Sequence, residues 1–398
     1  MTMVRTAHLA LATLAFAGAL SMGAPVPAQA ADPYEITAIL PLTGGAAFLG
    51  KSEQQSVELA AKTVNENGGI NGRPLKVIFQ DDQSSPQTAV QLANQAIASK
   101  PAVVMGSALV AMCNAMAPLM QNGPVMYCLS PGVHPAAGSY IFTTSVSTRD
   151  LAQAIIRYFR MKGWTRVALL TSTDASGQDA EQSVLNAVKL DENKGVELVV
   201  REHFNPADVA VSAQIENVKA AKPQAFIAWS TGAPVATIFK GIIQAGLDIP
   251  IATTDGNMTH AQMEQYASFL PKQLYIPAAK WVTHGSNVKR SEGEAAAQAK
   301  FDEAYKAAGV KPDVASAHGW DPTMMVVEGL RKLGPNATAA QLRDYLGHLK
   351  GFTGINGIYD FEREPQRGLD VQDTVVTLWD PAKKNWIPVS EPAGTPLQ

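Results

Sequence analysis

The chain has 398 residues, with 32 lysines and arginines against 35 aspartates and glutamates, a formal net charge of −3, and 46% hydrophobic residues. That near-balance excludes a nucleic-acid partner, which needs a concentrated basic face. Cys113 and Cys128 are the two cysteines, too few for a disulfide-stapled scaffold; one bridge and two buried thiols are both open readings.

The first thirty residues read as a secretory signal peptide. Arg5 gives a positive start, LALATLAFAGAL over 9–20 an uncharged core, and Ala28-Gln29-Ala30 a small-x-small cleavage site near Ala30. Pro25 and Pro27 close the apolar run before it reaches the ~20 residues a membrane span requires. An exported protein is expected, and the roughly 368 residues that remain exceed the ~250–300 at which one core stops growing, so two lobes are expected as well.

From there short apolar strands alternate with amphipathic helices. Strands are predicted at 35–40 (EITAIL), 75–79 (LKVIF), 102–105 and 125–129, with helices at 52–65, 86–98, 111–121 and 149–162. After Thr143 the cycle restarts, with strands at 166–171, 197–202, 225–229 and 250–253 and helices at 177–192, 209–221 and 237–245; Gly246 supplies a helix stop. Such alternation implies right-handed parallel βαβ units. The tail differs: helices at 295–308, 314–333 and 339–349 precede strand-like segments at 357–361 and 374–378.

Signatures of chemistry are missing. The glycines at 44–45 belong to no G-x-G-x-x-G or G-x-x-x-x-G-K-[ST] run, so no nucleotide cofactor is expected. His134, His203, His260, His284 and His318 are scattered singly, so no metal centre is expected. Asp81 and Asp82 point to opposite sides of an extended chain and read as a pair that solvates a turn and caps the helix after Pro86. No G-x-S-x-G elbow occurs, and neither cysteine has a context that lowers its pKa, so no catalytic residue is assigned.

Four stretches carry a resemblance: ILPLTGGAAFLG, AAKTVNENGGINGRPLKVIFQDDQSSPQTAVQLANQAI, VMYCLSPGVHP and HGWDPTMMVVEGL. The second is the most specific, with its helix, N-x-x-G-G-I-x-G turn, strand, Asp-Asp pair and Pro-started helix. Together they resemble the periplasmic substrate-binding proteins of ABC importers of the branched-chain amino acid type, the type I periplasmic binding proteins, over essentially all of the chain after the leader. The resemblance implies two doubly wound parallel-sheet α/β lobes joined by three crossover strands, near 144–148, 275–280 and 354–357. Lobe 1 would take 32–146 and 279–353, and lobe 2 would take 147–278 and 354–390. It further implies a monomeric periplasmic receptor that closes on a small ligand, uses no cofactor and meets a permease in the inner membrane. A sensor as partner and an exported enzyme are the competing readings.

In relatives that bind amino acids, serine after the third strand and threonine in the next strand-to-helix loop hold the carboxylate. Here the serine positions fall on Leu109 and Val110 and the threonine position on His134, while Ser130-Pro131-Gly132 is kept. The relatives' acidic residue for the ammonium matches Asp255, and their tyrosines fall on Leu49, Ser176 and Thr231. The expected ligand site comprises Phe48, Ser107, Leu109, Val110, Gly132, His134, Trp229, Thr231, Asp255, Asn257 and Trp320. Burying a zwitterion against Leu and Val without partners costs several kcal/mol. The expected ligand is therefore an aromatic or other hydrophobic carboxylic acid, with branched-chain or other amino acids or amides as the alternative.

Overall fold

The computed structural model describes residues 2–3, 32–334 and 336–397; the expected leader core and its cleavage site lie outside the described residues. Strands β1 (Tyr34–Leu40), β2 (Leu75–Asp81), β3 (Val103–Met105), β4 (Val125–Cys128) and β5 (Ile141–Thr143) form an all-parallel sheet in the order β2-β1-β3-β4-β5. Helices α1 (Ala47–Glu66), α2 (Pro86–Ala98) and α3 (Val110–Met116) make the crossovers. The strand order reverses beside β1, which opens a crevice at the carboxyl ends of β1 and β3.

The second cycle runs through α4 (Thr148–Met161), β6 (Arg166–Ser172), α5 (Ala175–Ala187), β7 (Glu197–Phe204), α6 (Ser212–Ala220), β8 (Ala225–Trp229), α7 (Val235–Gln244), β9 (Ile251–Ala252), α8 (His260–Gln265) and β10 (Leu274–Ala279). Helices α9 (Glu292–Ala308), α10 (Val314–Leu333) and α11 (Ala339–Gly347) follow, then a hairpin of β11 (Lys350–Thr353) and β12 (Ile358–Asp360), and finally β13 (Thr374–Asp380) and β14 (Asn385–Pro388). The second sheet is ordered β14-β13-β10-β9-β8-β6-β7, parallel except where β13 pairs with β10 and β14. Helix α10 lies along α1, so the chain returns to the first lobe before it completes the second sheet.

The sequence explains most of these elements. Strands β3, β4 and β8 are buried along their whole length, as central strands covered on both faces by helices must be, and they read as unbroken apolar runs. Ser147 and Asp150 form a capping box that starts α4 directly after the first crossing. Ser85, and not the Asp81-Asp82 pair, caps α2: its hydroxyl accepts from the Thr88 amide at 3.4 Å. Asp81 instead accepts from the Leu42 and Thr43 amides at 3.0 and 3.1 Å and so holds the β1–α1 turn.

Some boundaries move for physical reasons. Helix α1 begins at Ala47 and runs through Gly50, whose missing side chain lets the helix lie on the turn: a Cβ there would meet the Pro41 carbonyl oxygen at 2.1 Å. Helix α3 ends at Met116 and passes into a 3₁₀ turn, Ala117–Met120, because Pro118 has no amide proton to continue the ladder. Cys113 and Cys128 form a disulfide between α3 and the end of β4.

Two buried cations hold the crossings. Arg367 donates to the carbonyls of Thr144 (3.1 Å), Ser145 (3.0 Å), Pro131 (2.9 Å) and Val133 (2.7 Å), which fastens the returning chain to the first crossing and to the loop after β4. Burial pulls its guanidinium down to about 10. Lys280, at the second crossing, pairs with Glu294 at 3.1 Å and with Asp373 at 2.9 Å. Burial opposes its charge, but Asp373 and Glu294 outweigh it and hold the ammonium above its ordinary value. The stretch expected as the third crossing, 354–357, is the turn of the β11–β12 hairpin, pinned to α10 by Asp321, which accepts from the Ile355 and Asn356 amides at 3.0 Å each. The chain enters the second sheet only at Thr374.

Replacing Arg367 with Met should strand four carbonyl acceptors and lower unfolding free energy by roughly 3 kcal/mol, read by urea denaturation. Arg367→Lys should recover little of this, because an ammonium cannot span the fork that guanidinium fills. Recovery to wild type would overturn this account of the residue.

Candidate ligand site between the lobes

Apart from His318, the walls of the space between the lobes are built at the carboxyl end of a parallel strand or at the start of the helix that follows. The first lobe supplies Leu49 from α1, Ala108, Leu109 and Val110 from the β3–α3 turn, Ser130, Pro131 and Gly132 from the loop after β4, and His318 from α10. From the other side come Thr148, Ser176, Trp229, Thr231, Thr254, Asp255 and Gly256. The cavity they enclose measures about 30 Å³, room for a water or two, whereas roughly 150 Å³ accommodates a benzene-sized molecule. In this conformation the lobes touch. The Ala233 amide donates to the Gly45 carbonyl at 3.0 Å, and His134 Nε2 lies 2.8 Å from Asp179 Oδ1.

Of the residues expected from sequence, Leu109, Val110, Gly132, Trp229, Thr231 and Asp255 line this cavity. The other five lie elsewhere. Ser107 is buried, and its hydroxyl is committed to Asp82 at 2.6 Å. His134 bridges to Asp179 of α5 at the rim, so its ring is spent on the contact between lobes. Asn257 is buried: its amide donates to the Ser230 carbonyl (2.8 Å) and Thr253 (3.0 Å), its oxygen accepts from the Gly232 amide (3.0 Å), and the side chain thus shapes the loop that carries Thr231. Phe48 packs edge-on against Tyr266, with ring centres 6.2 Å apart, at the mouth of the cleft. Trp320 packs edge-on against Phe301 of α9 at 5.3 Å.

The Trp320 outcome follows from helical geometry. Residues 318 and 320 sit on one continuous helix, and positions two apart point to nearly opposite sides. His318 therefore takes the cleft and Trp320 the α9 interface. The period of α10 was legible in the sequence; which of its faces meets the cleft depends on α1 and α9, from distant parts of the chain.

The polar groups of the cavity are unevenly satisfied. Ser176 and Thr231, at the tyrosine positions of the resembling proteins, bond to each other at 2.7 Å. Asp255 Oδ1 accepts from Thr254 Oγ1 at 3.1 Å, while Oδ2 is buried without a hydrogen-bond partner among the described residues. None of the described lining residues is lysine or arginine. The cavity thus combines an apolar floor (Leu49, Leu109, Val110, Trp229) with one carboxylate whose Oδ2 makes no hydrogen bond and faces His318 Nε2 at 3.8 Å.

The carboxyl ends of two α/β sheets meet around one cavity, in which polar groups are left open. The chain belongs to the periplasmic binding protein family, whose model matches residues 33–383. A leucine-, isoleucine-, valine-, threonine- and alanine-binding protein of Pseudomonas aeruginosa is 24% identical over 234 residues, which cover 57% of this chain and 62% of that protein. The chain therefore spans about three fifths of the length of this curated relative. A type 1 periplasmic binding protein from Bordetella pertussis superposes with a TM-score of 0.78 at 21% identity, covering 91% of this chain and all of that one. The substrate-binding protein LivJ of a branched-chain amino acid transporter from Streptococcus pneumoniae, solved with isoleucine, superposes at 0.75 with 19% identity over 90% of this chain and 99% of its own.

Closure should depend on Gly232, whose φ is +82° and whose place a Cβ would bring within 2.6 Å of the Gly45 carbonyl on the facing lobe. Gly232→Ala should hold the lobes apart, with a larger radius of gyration by small-angle X-ray scattering at saturating ligand. An unchanged radius and unchanged affinity would mean that this contact plays no part in closing.

Proposed function

We propose that this chain is the periplasmic solute-binding component of an ABC importer and that its ligand is a small α-amino acid with an apolar side chain, presented to a permease in the inner membrane. The observation that carries the reading is the buried Asp255 carboxylate, with Oδ2 unpartnered, in a cavity lined by no lysine or arginine among its described residues. Such a site attracts an ammonium and repels a lone carboxylate, since burying an unpaired charge is costly.

The same balance turns the reading away from the hydrophobic carboxylic acid expected from sequence. Leu109 and Val110 suit an aliphatic side chain equally well, and the relatives named for leucine, isoleucine and valine support an amino acid. The cavity of about 30 Å³ implies that the lobes part and re-close around such a ligand, which shifts the population toward a closed state shaped to it.

Thermal-shift and calorimetric titration of the mature protein against aliphatic amino acids, aliphatic acids, benzoate-type acids and amides tests this. A bound amino acid at 100 times its Kd should stabilise the protein by about 2.7 kcal/mol. Asp255→Asn should weaken it at least tenfold, as loss of a charged hydrogen bond of roughly 1.5–3 kcal/mol requires. A response to carboxylic acids alone, or an Asp255→Asn protein that binds amino acids normally, would reject the reading.

A further inference from the structure

In the resembling proteins serine hydroxyls receive the ligand's carboxylate, yet the matching positions here are Leu109 and Val110, and Ser107 is committed to Asp82. A zwitterion would then have Asp255 for its ammonium and no evident donor for its other end. The first lobe offers one candidate. His318 lies at the cavity wall with its side chain 2% exposed, between two carboxyl groups from different elements: Nδ1 is 3.9 Å from Glu53 Oε1 of α1, and Nε2 is 3.8 Å from Asp255 Oδ2 of the second lobe. Both distances exceed a hydrogen bond. Glu53 Oε1 and Oε2, His318 Nε2 and Asp255 Oδ2 are all buried without a hydrogen-bond partner among the described residues.

The proton inventory of this group fixes what His318 shows to the cavity. Glu53 is wholly buried, and burial first, then Asp82 and Asp313 nearby, push its carboxyl well above the usual range. His318 Nδ1 faces that carboxyl at 3.9 Å. A neutral Glu53 that closes this gap can donate to Nδ1, which leaves the ring proton on Nε2, or accept from Nδ1–H, which leaves Nε2 bare. The first arrangement presents Nε2–H to the cavity, and it is the one taken here.

We infer that His318 is the residue that reads the ligand's carboxylate, by donating Nε2–H to one carboxylate oxygen while Asp255 Oδ2 accepts from the ammonium, with Glu53 as the positioning residue that keeps the proton on Nε2. This rests on the amino-acid reading above and deepens it. The α-nitrogen and a carboxylate oxygen of an amino acid are near neighbours, so one ligand spans a donor and an acceptor that face each other 3.8 Å apart. The donor belongs to the first lobe and the acceptor to the second, which makes the pair complete only when the lobes close.

The test is calorimetric titration of wild type, His318→Leu and His318→Gln with L-leucine and with isoamylamine, which is leucine without its carboxylate. His318→Leu should weaken leucine about ten- to hundredfold, the loss of one charge-assisted hydrogen bond, and leave isoamylamine within about twofold. His318→Gln, whose side-chain amide still donates, should recover most of the leucine affinity. Equal losses for both ligands would assign His318 a structural role, and no loss would remove it from the site; either overturns the inference while the amino-acid reading stands. Wild-type protein that binds neither compound overturns the inference, while the amino-acid reading is decided by the titration of the aliphatic amino-acid series. One arm needs no ligand: nitrogen-15 NMR of the ligand-free protein should show His318 protonated at Nε2, and Glu53→Leu should change that tautomer balance. A bare Nε2 in wild type overturns the inference whatever the protein binds.

Discussion

The architecture depends on how the chain is held where it passes between lobes. Here the bracing is polar and buried. Arg367 fans over four carbonyls, and Lys280 is clamped by Glu294 and Asp373. Guanidinium and ammonium groups grip backbone and carboxylate oxygens at defined lengths, so these contacts fix where the strands run. Both cations are shielded from water, which makes removal of their charge costly and its retention stiffening. Asp321 plays the same part at the hairpin turn, where Gly354 leaves no room for a side chain against its carboxylate.

From those fixed crossings the cleft follows. Parallel sheets present their carboxyl ends to each other, and the turns there carry the cavity walls. The disulfide from Cys113 to Cys128 ties the middle of α3 to the end of β4, three residues after Val110 and two before Ser130. A covalent link at that point keeps two walls of the first lobe in register with each other. The second lobe achieves the same end with Asn257, whose amide group ties the loop after β8, at Ser230 and Gly232, to the end of β9 at Thr253.

The rhythm of strands and helices was legible because interior strands are short apolar runs and surface helices carry a stripe, and both signals are local. The positions of Leu109, Val110, Trp229, Thr231 and Asp255 were legible for the same reason: each lies at or just after the carboxyl end of a parallel strand, where the cavity forms. His134 follows a strand too, but its ring is claimed by Asp179, 45 positions away. Ser107 is claimed by Asp82 and Trp320 by Phe301. Those partners are set by tertiary packing, and no periodicity reports them. His318 went unsingled because a lone histidine in an apolar helix looks like any buried histidine until Glu53 and Asp255 are seen on either side of it.

The size of the cavity bears on which groups decide what is bound. With about 30 Å³ between the walls, any solute larger than a water or two must enter with the lobes apart, so its first contacts are with one lobe alone. Contacts made equally in open and closed forms tighten binding without favouring closure, since a ligand moves the equilibrium only by its differential affinity for the two states. Groups that meet the ligand from opposite lobes are of the other kind, and a polar group left open on each side of the cleft imposes a cost on the closed form that only a ligand with matching atoms relieves. An empty or mismatched cleft then closes against unsatisfied Asp255, and selectivity becomes a property of closure as well as of fit.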